Sequence, residues 1–379
     1  MLLIPALAVT SSIMSCSSAQ TASTPPRMAS EPPAPASHHG RFTRAVTALA
    51  DRLEASYVIH DVGARYAAQL RANLARGTYD PIDDRETIAR QLSSDLQAVV
   101  PDGHLRVVSE AKLTADGHLV MAPGGHPGPP AAPGTAPGDG RGLQGPGGGT
   151  GGPRRPPAIG DMAWLADGVA YIQFNEFPGD PETVAAVDRF MADHASAKAL
   201  IIDARSHHGG GSAEMDVMLP YLYAKETPLV DMEVAASIDH DRGEPGGPPQ
   251  GFEPRMRLVS APPGLVRHEQ VVTPHPTEHR LFSAQVFYLT SSRTFSAAEH
   301  LAFAFKRTGR AVLIGERTGG GNHFGGWESL GDGLAAFIPV GRTLDPVTGA
   351  DWEGVGVAPD VAVPATRALD EAVRRAMHR

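Results

Sequence analysis

Apolar residues recur every three or four positions in the first part of the chain, which is the spacing of amphipathic helices. Three segments show this pattern most clearly, at residues 46–53, 62–75 and 88–99. Gly77 ends the second segment, and Asp83 and Glu86 precede the third at a spacing that resembles a capping box. The pattern predicts a small N-terminal helical domain over residues 41–107.

The pattern changes after residue 160, where short apolar runs alternate with amphipathic segments. The runs that predict strands lie at residues 169–174, 199–202, 286–289, 311–314 and 334–340. The segments that predict helices lie at residues 182–194, 213–223, 297–308 and 365–377. Continuous apolar runs are typical of strands covered on both faces, so residues 161–379 predict an α/β core built around a buried sheet.

Two stretches lack the apolar content that a packed core requires. Residues 108–160 are rich in Gly and Pro, with hardly an apolar side chain between 121 and 158, and they predict a disordered linker. Residues 225–280 include polar and Pro-rich stretches, which predict a partly ordered excursion at the rim of a substrate site. The 42 glycines and 34 prolines of the chain agree with long irregular segments.

The N-terminus resembles a bacterial lipoprotein signal. An apolar run over residues 1–10 is followed by Ile13-Met14-Ser15-Cys16, which resembles a lipobox whose cysteine carries lipid after cleavage. Residues 1–16 are therefore predicted to be a signal and lipobox segment, and residues 17–40 a disordered tether. No Lys or Arg precedes the apolar run, so an incidental cysteine is the alternative. Lipidation of Cys16 predicts attachment to a bacterial membrane on its extracytoplasmic side.

Net charge and cysteine content exclude several classes of partner and site. The formal charge of -9 at pH 7, with no offsetting basic run, argues against a nucleic acid or an anionic membrane surface as the main partner. A single cysteine excludes an internal disulfide and a cysteine-based zinc cluster. His207 and His208 adjoin each other near Asp203, but adjacent side chains on an extended segment point apart. The sequence therefore predicts no metal site and no cofactor.

Ser296 lies where an apolar run gives way to a segment with helical spacing. Its hydroxyl is expected near unpaired backbone N–H groups and the positive end of the helix dipole. Such N–H groups can hold the oxyanion that forms after nucleophilic attack, so Ser296 is a candidate nucleophile. The local pattern alone also allows a simple helix N-cap, which is the commonest role of serine at a helix start.

Three sequence blocks resemble the S41 serine peptidases and occur in the order of that family. They are TFSAAE at residues 294–299 with GERTGGG at 315–321, ALIIDARSHHGGGS at 199–212, and DWEGVGVAPD at 351–360. The resemblance implies a crotonase-like core of ββα units, preceded by the helical domain. The interval from Lys112 to Gly160 is too short for a PDZ domain. This favours the branch of the tricorn core protease and the interphotoreceptor retinoid-binding protein modules over the C-terminal processing peptidases.

The resemblance also implies a set of site residues. They are the nucleophile Ser296, the base His104, the orienting carboxylate Glu353, and the oxyanion-hole residues Gly209, Gly210 and Ala297. Gly103 replaces the serine that stands beside the histidine in the tricorn-like branch, so that interaction must be absent or supplied by water or another side chain. No lysine follows Gly309, which excludes the Ser-Lys dyad of the C-terminal processing branch. His323 is a second candidate base.

The sequence thus predicts a serine peptidase that hydrolyses peptide bonds of extracytoplasmic polypeptides. A non-catalytic binding module for an apolar ligand, as in the retinoid-binding modules, is the alternative. A crotonase-type enzyme acting on an acyl thioester is a third and weaker alternative, because that fold also relies on an oxyanion hole. The combined presence of a nucleophile, a base and a carboxylate favours the peptidase.

Overall fold

The computed structural model describes residues 40–113, 156–236 and 255–378. Its first part contains the helices α1 (Thr43–Ser56), α2 (His60–Ala75) and α3 (Arg85–Val99), close to the three predicted segments. Asp84 caps α3, because its carboxylate accepts the backbone N–H of Thr87 at 2.8 Å. The cap is therefore one residue later than the predicted Asp83.

The remaining elements of the described chain follow in sequence order. They are β1 (Arg106–Ser109), β2 (Ile159–Ala166), β3 (Val169–Phe174), α4 (Pro181–Asp193), β4 (Ala199–Asp203), α5 (Ala213–Met218), β5 (Thr227–Ala235), β6 (Arg255–Val259), β7 (Leu265–Val272), β8 (Gln285–Thr290), α6 (Ala297–Thr308), β9 (Val312–Gly315), β10 (Phe324–Gly331), β11 (Leu334–Leu344), β12 (Val361–Ala362) and α7 (Ala368–Met377).

One sheet is mostly parallel and contains four of the five strands that the apolar runs predict, and the fifth, at residues 334–340, is β11 of the second sheet. Its order is β12-β9-β8-β4-β3-β2, and only the β2–β3 pair is antiparallel. Helices α4, α5 and α6 cover one face, and α7 covers the other. Neighbouring parallel strands end at the same edge of a sheet, so the segments that follow β4 and β8 lie side by side. These segments carry the Gly-rich turn and Ser296.

The second sheet is mostly missing from the sequence prediction. Its order is β1-β11-β5-β7-β6, and β10 also pairs with β11. Strands β5, β6 and β7 occupy much of the described part of residues 225–280, where the sequence predicted a partly ordered excursion and no strands. The turn between β10 and β11 contains Asp332 and Gly333 with φ of 57° and 77°, which suits a tight hairpin.

The N-terminal helices share their core with this second sheet. Leu105, Val107, Leu330, Ala336 and Ile338 pack among the apolar faces of α1, α2 and α3. Residues 108 and 109, which the sequence assigned to the linker, belong to β1 and pair with β11. Helices α1, α2 and α3 therefore form one hydrophobic core together with the second sheet.

Several predicted segments lie outside the described residues. They include the signal and lipobox segment at residues 1–16, nearly all of the tether at 17–40, and residues 114–155 of the linker. Of the helices that the structure does describe, none has both the length and the hydropathy needed to cross a bilayer.

Candidate active site

Ser296 forms the turn between β8 and α6, and its backbone is strained. Its φ of 56° and ψ of -122° lie in a region that non-glycine residues rarely adopt. A serine on a strained turn between a strand and a helix exposes its hydroxyl at the end of the sheet. The hydroxyl lies 3.1 Å from Nε2 of His104. The structure thus brings the predicted nucleophile and the predicted base together.

Glu299, in the first turn of α6, holds this strained backbone through hydrogen bonds. Its carboxylate accepts the N–H of Ser296 at 2.9 Å and the N–H groups of Gly320 and Gly321 at 2.7 Å each. The hydroxyl of Thr318 donates a fourth bond at 2.5 Å. Burial raises the pKa of Glu299 to about 7, although the four donors favour the charged form. One buried carboxylate therefore ties the nucleophile to the loop that follows β9.

His104 lies in the turn between α3 and β1. Asp102 shapes this turn, because one of its carboxylate oxygens accepts the N–H groups of His104 and Leu105 at 2.7 and 2.8 Å. The imidazole packs against the rings of Phe295 and Phe337, with centroids 4.8 and 5.4 Å away. Both the backbone and the ring of the base are held in place.

The imidazole of His104 is buried and neutral at neutral pH. Burial lowers its pKa to about 4; the charge of Asp102 opposes this shift, whereas Arg106 and His323 add to it. Nδ1 of His104 has no hydrogen-bond partner in the structure. Nε2 can accept the serine proton only when Nδ1 carries the ring hydrogen, so that hydrogen lacks an acceptor.

Glu353 does not contact the imidazole of His104. Its two oxygens instead accept backbone N–H groups, from Gly103 at 2.9 Å, Asn322 at 2.6 Å and His323 at 3.0 Å. The carboxylate that the resemblance implies as the orienting group therefore forms no direct hydrogen bond with the base. Gly103 stands between the two groups and has no side chain that could connect them. Glu353 fixes the backbone before His104 and the start of the segment that leads into β10.

His323, the second candidate base, belongs to a buried cluster with Asp102. Its Nδ1 lies 2.7 Å from the second carboxylate oxygen of Asp102, which also accepts the hydroxyl of Tyr57 at 2.7 Å. Burial by itself would lower the pKa of His323, but its bond to Asp102 and the charges of Asp102 and Glu353 raise it. This pairing makes His323 a support for the turn of His104.

The Gly-rich turn after β4 lies against the nucleophile. A Cβ placed on Gly209 would be 2.8 Å from the Cβ of Ser296, and the φ values of Gly209 and Gly210 are 116° and 130°. The N–H of Gly209 donates to Nδ1 of His207 at 3.1 Å, so it is occupied. Within the described chain, no hydrogen bond uses the N–H of Gly210 or of Ala297. The N–H groups of Gly210 and Ala297 are therefore available to an oxyanion, whereas the N–H of Gly209 is not.

The adjacent imidazoles of His207 and His208 bond to different groups. Nδ1 of His207 accepts the N–H of Gly209, whereas Nε2 of His208 lies 3.1 Å from the carboxylate of Glu176. Asp203 is occupied by hydrogen bonds from Arg205. These residues therefore do not share one set of ligand atoms.

One other group in the described chain brings possible metal ligands together. Ligand atoms of Asp102, His323 and Glu353 lie within 4.8 Å of one another. All three side chains already accept or donate hydrogen bonds inside the protein. A divalent cation would have to displace the proton shared by Asp102 and His323, so hydrogen bonding explains this cluster without a metal.

Sequence reasoning missed the roles of Asp102 and Glu299. A signal for each is present in the chain. Ser296 and Glu299 have the S-x-x-E spacing of a capping box, and Asp102 precedes Gly-His at the position of a turn-forming aspartate. Neither pattern by itself distinguishes a helix cap or a turn from support of a catalytic residue.

Comparisons with known families match two regions of the chain. Residues 168–363 match the family described as Peptidase family S41, and residues 36–131 match the N-terminal domain of Peptidase_S41 in eukaryotic IRBP. Carboxyl-terminal-processing peptidase 3, chloroplastic, from Arabidopsis thaliana is 36% identical over 83 residues, which are 22% of this chain and 16% of that protein.

A solved structure with a TM-score above 0.5 shows a similar fold. A candidate peptidase from Parabacteroides merdae has a TM-score of 0.52 at 16% identity, covering 88% of this chain and 96% of its own. The photosystem II D1 C-terminal processing protease has a TM-score of 0.38 at 21% identity, covering 54% of this chain and 46% of its own. The chain thus spans 16% of the curated relative and less than half of the D1 protease. The match over residues 168–363 covers more than half of the 379 residues, and the chain therefore belongs to peptidase family S41.

Proposed function

We propose that the protein is a serine peptidase that hydrolyses peptide bonds of polypeptides, with Ser296 as the nucleophile and His104 as the base. The observation that carries this proposal is the distance of 3.1 Å between the Ser296 hydroxyl and Nε2 of His104, on a strained turn beside two unused N–H groups. A nucleophile, a base and oxyanion donors are the parts that acyl transfer requires. Membership of family S41 supports the same reaction class.

In this mechanism, Oγ of Ser296 attacks the scissile carbonyl carbon while Nε2 of His104 takes the hydroxyl proton. The N–H groups of Gly210 and Ala297 then stabilise the carbonyl oxygen as it becomes negative. One such donor typically accelerates acyl transfer about 10²- to 10³-fold. His104 next gives its proton to the departing amine, and water hydrolyses the acyl-enzyme through the same groups.

Two carboxylates have positioning roles in this proposal. Glu353 accepts the N–H of Gly103, and Asp102 accepts the N–H of His104, so the backbone on both sides of this peptide unit is fixed. Asp102 also has a charge that favours the protonated form of His104. The imidazolium that forms during the reaction is stabilised by that charge.

Replacing the nucleophile tests the proposal directly. We expect Ser296→Ala to lower the rate of casein hydrolysis by about 10⁴- to 10⁶-fold and to abolish labelling by a fluorophosphonate probe. Ser283→Ala removes an exposed serine and serves as the matched control, which should keep both properties. Labelling or hydrolysis at the wild-type rate in the Ser296→Ala protein would disprove the assignment.

A second candidate function is a carrier for an apolar ligand. The match of residues 36–131 to a domain named for eukaryotic IRBP favours it. A carrier has no need of a serine that reacts with fluorophosphonate. An unlabelled Ser296, together with saturable binding of an apolar dye, would select the carrier over the peptidase.

The finer predictions on fold and location are also part of the proposal. We infer a crotonase-like core of ββα units, and extracytoplasmic polypeptides as substrates, for a protein tethered to a bacterial membrane through lipidated Cys16. The lipobox-like residues 13–16 and the composition of residues 17–40 support the tether. Cells fed an alkyne fatty acid should label the wild-type protein and leave Cys16→Ser unlabelled and released from membranes.

A further inference from the structure

Arg106 lies next to the candidate active site and has no acidic partner. Within the described chain, no carboxylate forms a salt bridge with its guanidinium, and its buried Nε lacks an acceptor. Burial lowers the pKa of Arg106, while the charge of Asp102 opposes that shift. Because an unpaired buried charge costs free energy, a cation kept in this state is characteristic of a functional site.

Arg106 belongs to a row of residues that crosses three strands. Arg106 of β1 lies opposite Phe337 of β11, and Trp327 of β10 lies opposite the same phenylalanine. The central guanidinium carbon is 5.3 Å from the ring centroid of Trp327 and 6.0 Å from that of Phe337. Opposed residues on neighbouring strands share a face of the sheet, and aromatic rings hold a cation at these distances. The guanidinium is therefore fixed in position.

This row leads directly to the catalytic pair. Phe337 stacks on the imidazole of His104 at 5.4 Å, and His104 contacts Ser296. A single aromatic ring thus lies between the guanidinium and the base. Arg106, Phe337 and Trp327 are all half-buried, so each keeps part of its surface open to a substrate.

Asp102 exerts an electrostatic effect on Arg106 but is engaged elsewhere. Its two oxygens accept four hydrogen bonds, from the N–H groups of His104 and Leu105, the hydroxyl of Tyr57 and Nδ1 of His323. These four donors occupy the acceptor capacity of a carboxylate. The guanidinium donors of Arg106 therefore remain available for an external anion.

We propose that Arg106 binds a carboxylate of the peptide substrate, with Phe337 and Trp327 contacting the neighbouring part of the peptide. A guanidinium binds a carboxylate through two parallel charge-assisted hydrogen bonds, which the flat surface of the rings leaves accessible. An extended peptide advances about 3.3 Å per residue, so this carboxylate lies a few residues from the scissile bond. It belongs to an acidic side chain or to the free C-terminus of the substrate. This inference rests on the proposed peptidase function.

A binding assay on the Ser296→Ala protein tests the proposal without turnover. Dye-labelled peptides of about eight residues, long enough to span the row in extended form, are compared in matched pairs. One arm compares a free C-terminus with its amide, and the other compares Glu with Gln at each internal position. In at least one arm we expect the carboxylate form to bind about 10- to 100-fold more tightly. The arm that shows the difference identifies the source of the carboxylate.

Variants of Arg106 in the same Ser296→Ala background assign the effect to this residue. Arg106→Met keeps the aliphatic contact with the rings and removes the charge, so the preference should fall to near unity. Arg106→Lys keeps the positive charge but loses the two parallel N–H donors of the guanidinium, and it should retain part of the preference for the carboxylate form. Arg189→Gln removes an exposed arginine of α4 and is the matched control, which should keep the full preference for the carboxylate form. Thermal unfolding of each variant shows whether it is folded.

Two results would overturn the role of Arg106. They are equal binding of both members of every pair, or a preference that persists in folded Arg106→Met. Failure of the peptidase proposal looks different, because it appears as absent fluorophosphonate labelling of the wild-type protein. A labelled Ser296 combined with equal peptide binding would therefore remove only the inference about Arg106.

Discussion

The two halves of the candidate active site differ in how completely their polar groups are bonded. On the nucleophile side, the N–H of Ser296 and three further donors converge on one buried carboxylate, Glu299. On the base side, the backbone of His104 is held by Asp102, but its imidazole Nδ1 finds no hydrogen-bond partner among the described residues. The nucleophile is thus positioned by hydrogen bonds, whereas the base is positioned by its backbone and by aromatic packing.

The difference follows from how far apart the supporting residues lie in sequence. Ser296 and Glu299 are separated by three positions, so the first turn of one helix brings them together. The base depends on groups from three distant segments, including Glu353 and the loop at 322–323. Gly103 has no side chain that could connect the carboxylate of Glu353 to the imidazole. We therefore expect substitutions to damage the nucleophile side more than they damage the base side.

Among substitutions of the residues around the catalytic pair, the largest effect should come from adding a methyl group beside the nucleophile. In Gly209→Ala, the new Cβ would lie 2.8 Å from the Cβ and 3.3 Å from the hydroxyl oxygen of Ser296, at a φ of 116°. We expect kcat/KM to fall at least about 10²-fold, since the methyl group displaces the nucleophile from its place beside the oxyanion donors. Gly211→Ala is the matched control, because its Cβ would meet only the carbonyl oxygen of Phe177 at 3.9 Å. Equal losses in the two variants would contradict this account.

A smaller loss is expected when Glu299 becomes an amide. Glu299→Gln replaces one acceptor oxygen by a donor that faces N–H groups, which should lower kcat about 10-fold and the free energy of unfolding by about 1–3 kcal/mol. Glu214→Gln is a control at a buried carboxylate with one bonded and one unpartnered oxygen. That control should retain wild-type kcat. An unchanged kcat in Glu299→Gln would show that the strained turn of Ser296 does not depend on this carboxylate.

The two halves should also titrate at different pH. The folded-state pKa of Glu299 is raised to about 7 by burial, so its carboxylate gains a proton as the pH falls through that value. His104, whose pKa burial lowers to about 4, stays neutral over the same range. We expect kcat/KM to fall by up to about 10-fold below pH 7, the loss that the amide variant mimics. In Glu299→Gln this fall of kcat/KM below pH 7 should disappear. A fall that persists in the variant would be assigned to the titration of the base.

The smallest effect, and a gain, is expected from completing the base side. Gly103→Ser places a Cβ 3.1 Å from a ring carbon of Phe295 and gives His104 a neighbouring hydroxyl oxygen. A neutral hydrogen bond to Nδ1 contributes about 1 kcal/mol, so kcat should rise a few-fold and the pKa of His104 should move upward. Gly103→Ala adds the same Cβ without the oxygen. A gain of equal size in the alanine variant would attribute it to packing.

Four strands of the mostly parallel sheet, β3, β4, β8 and β9, could be predicted from the sequence because they are continuous apolar runs, whereas β2 and β12 were not predicted. The boundaries of β3 match the prediction, and those of β8 lie within one residue of it. Strand β7 was missed because Arg267, His268, Glu269 and Gln270 interrupt its apolar character. Strand β10 was missed because three of its eight residues are glycines. Both strands depend on partners that are distant in sequence, which a local pattern does not record.

The candidate site could be predicted in part. The resemblance to family S41 singled out Ser296 and His104, which lie in contact, although no local pattern relates residues 192 positions apart. It did not show that Glu353 bonds to the backbone of Gly103 in place of the imidazole. That outcome depends on the missing side chain of Gly103, and the roles of the six implied site residues remain proposals.

Strand β1 is only four residues long, and its side chains point alternately to two faces of the sheet that have different roles. Val107 points into the core shared with α1, α2 and α3, while Arg106 points to the aromatic row beside His104. A deletion or insertion of one residue between His104 and Arg106 would exchange the directions of the two side chains. The guanidinium would then lie among aliphatic groups, and the valine would lie beside the aromatic row. An insertion or deletion between His104 and Arg106 would therefore impair folding and peptide recognition together, so both properties constrain the length of this connection.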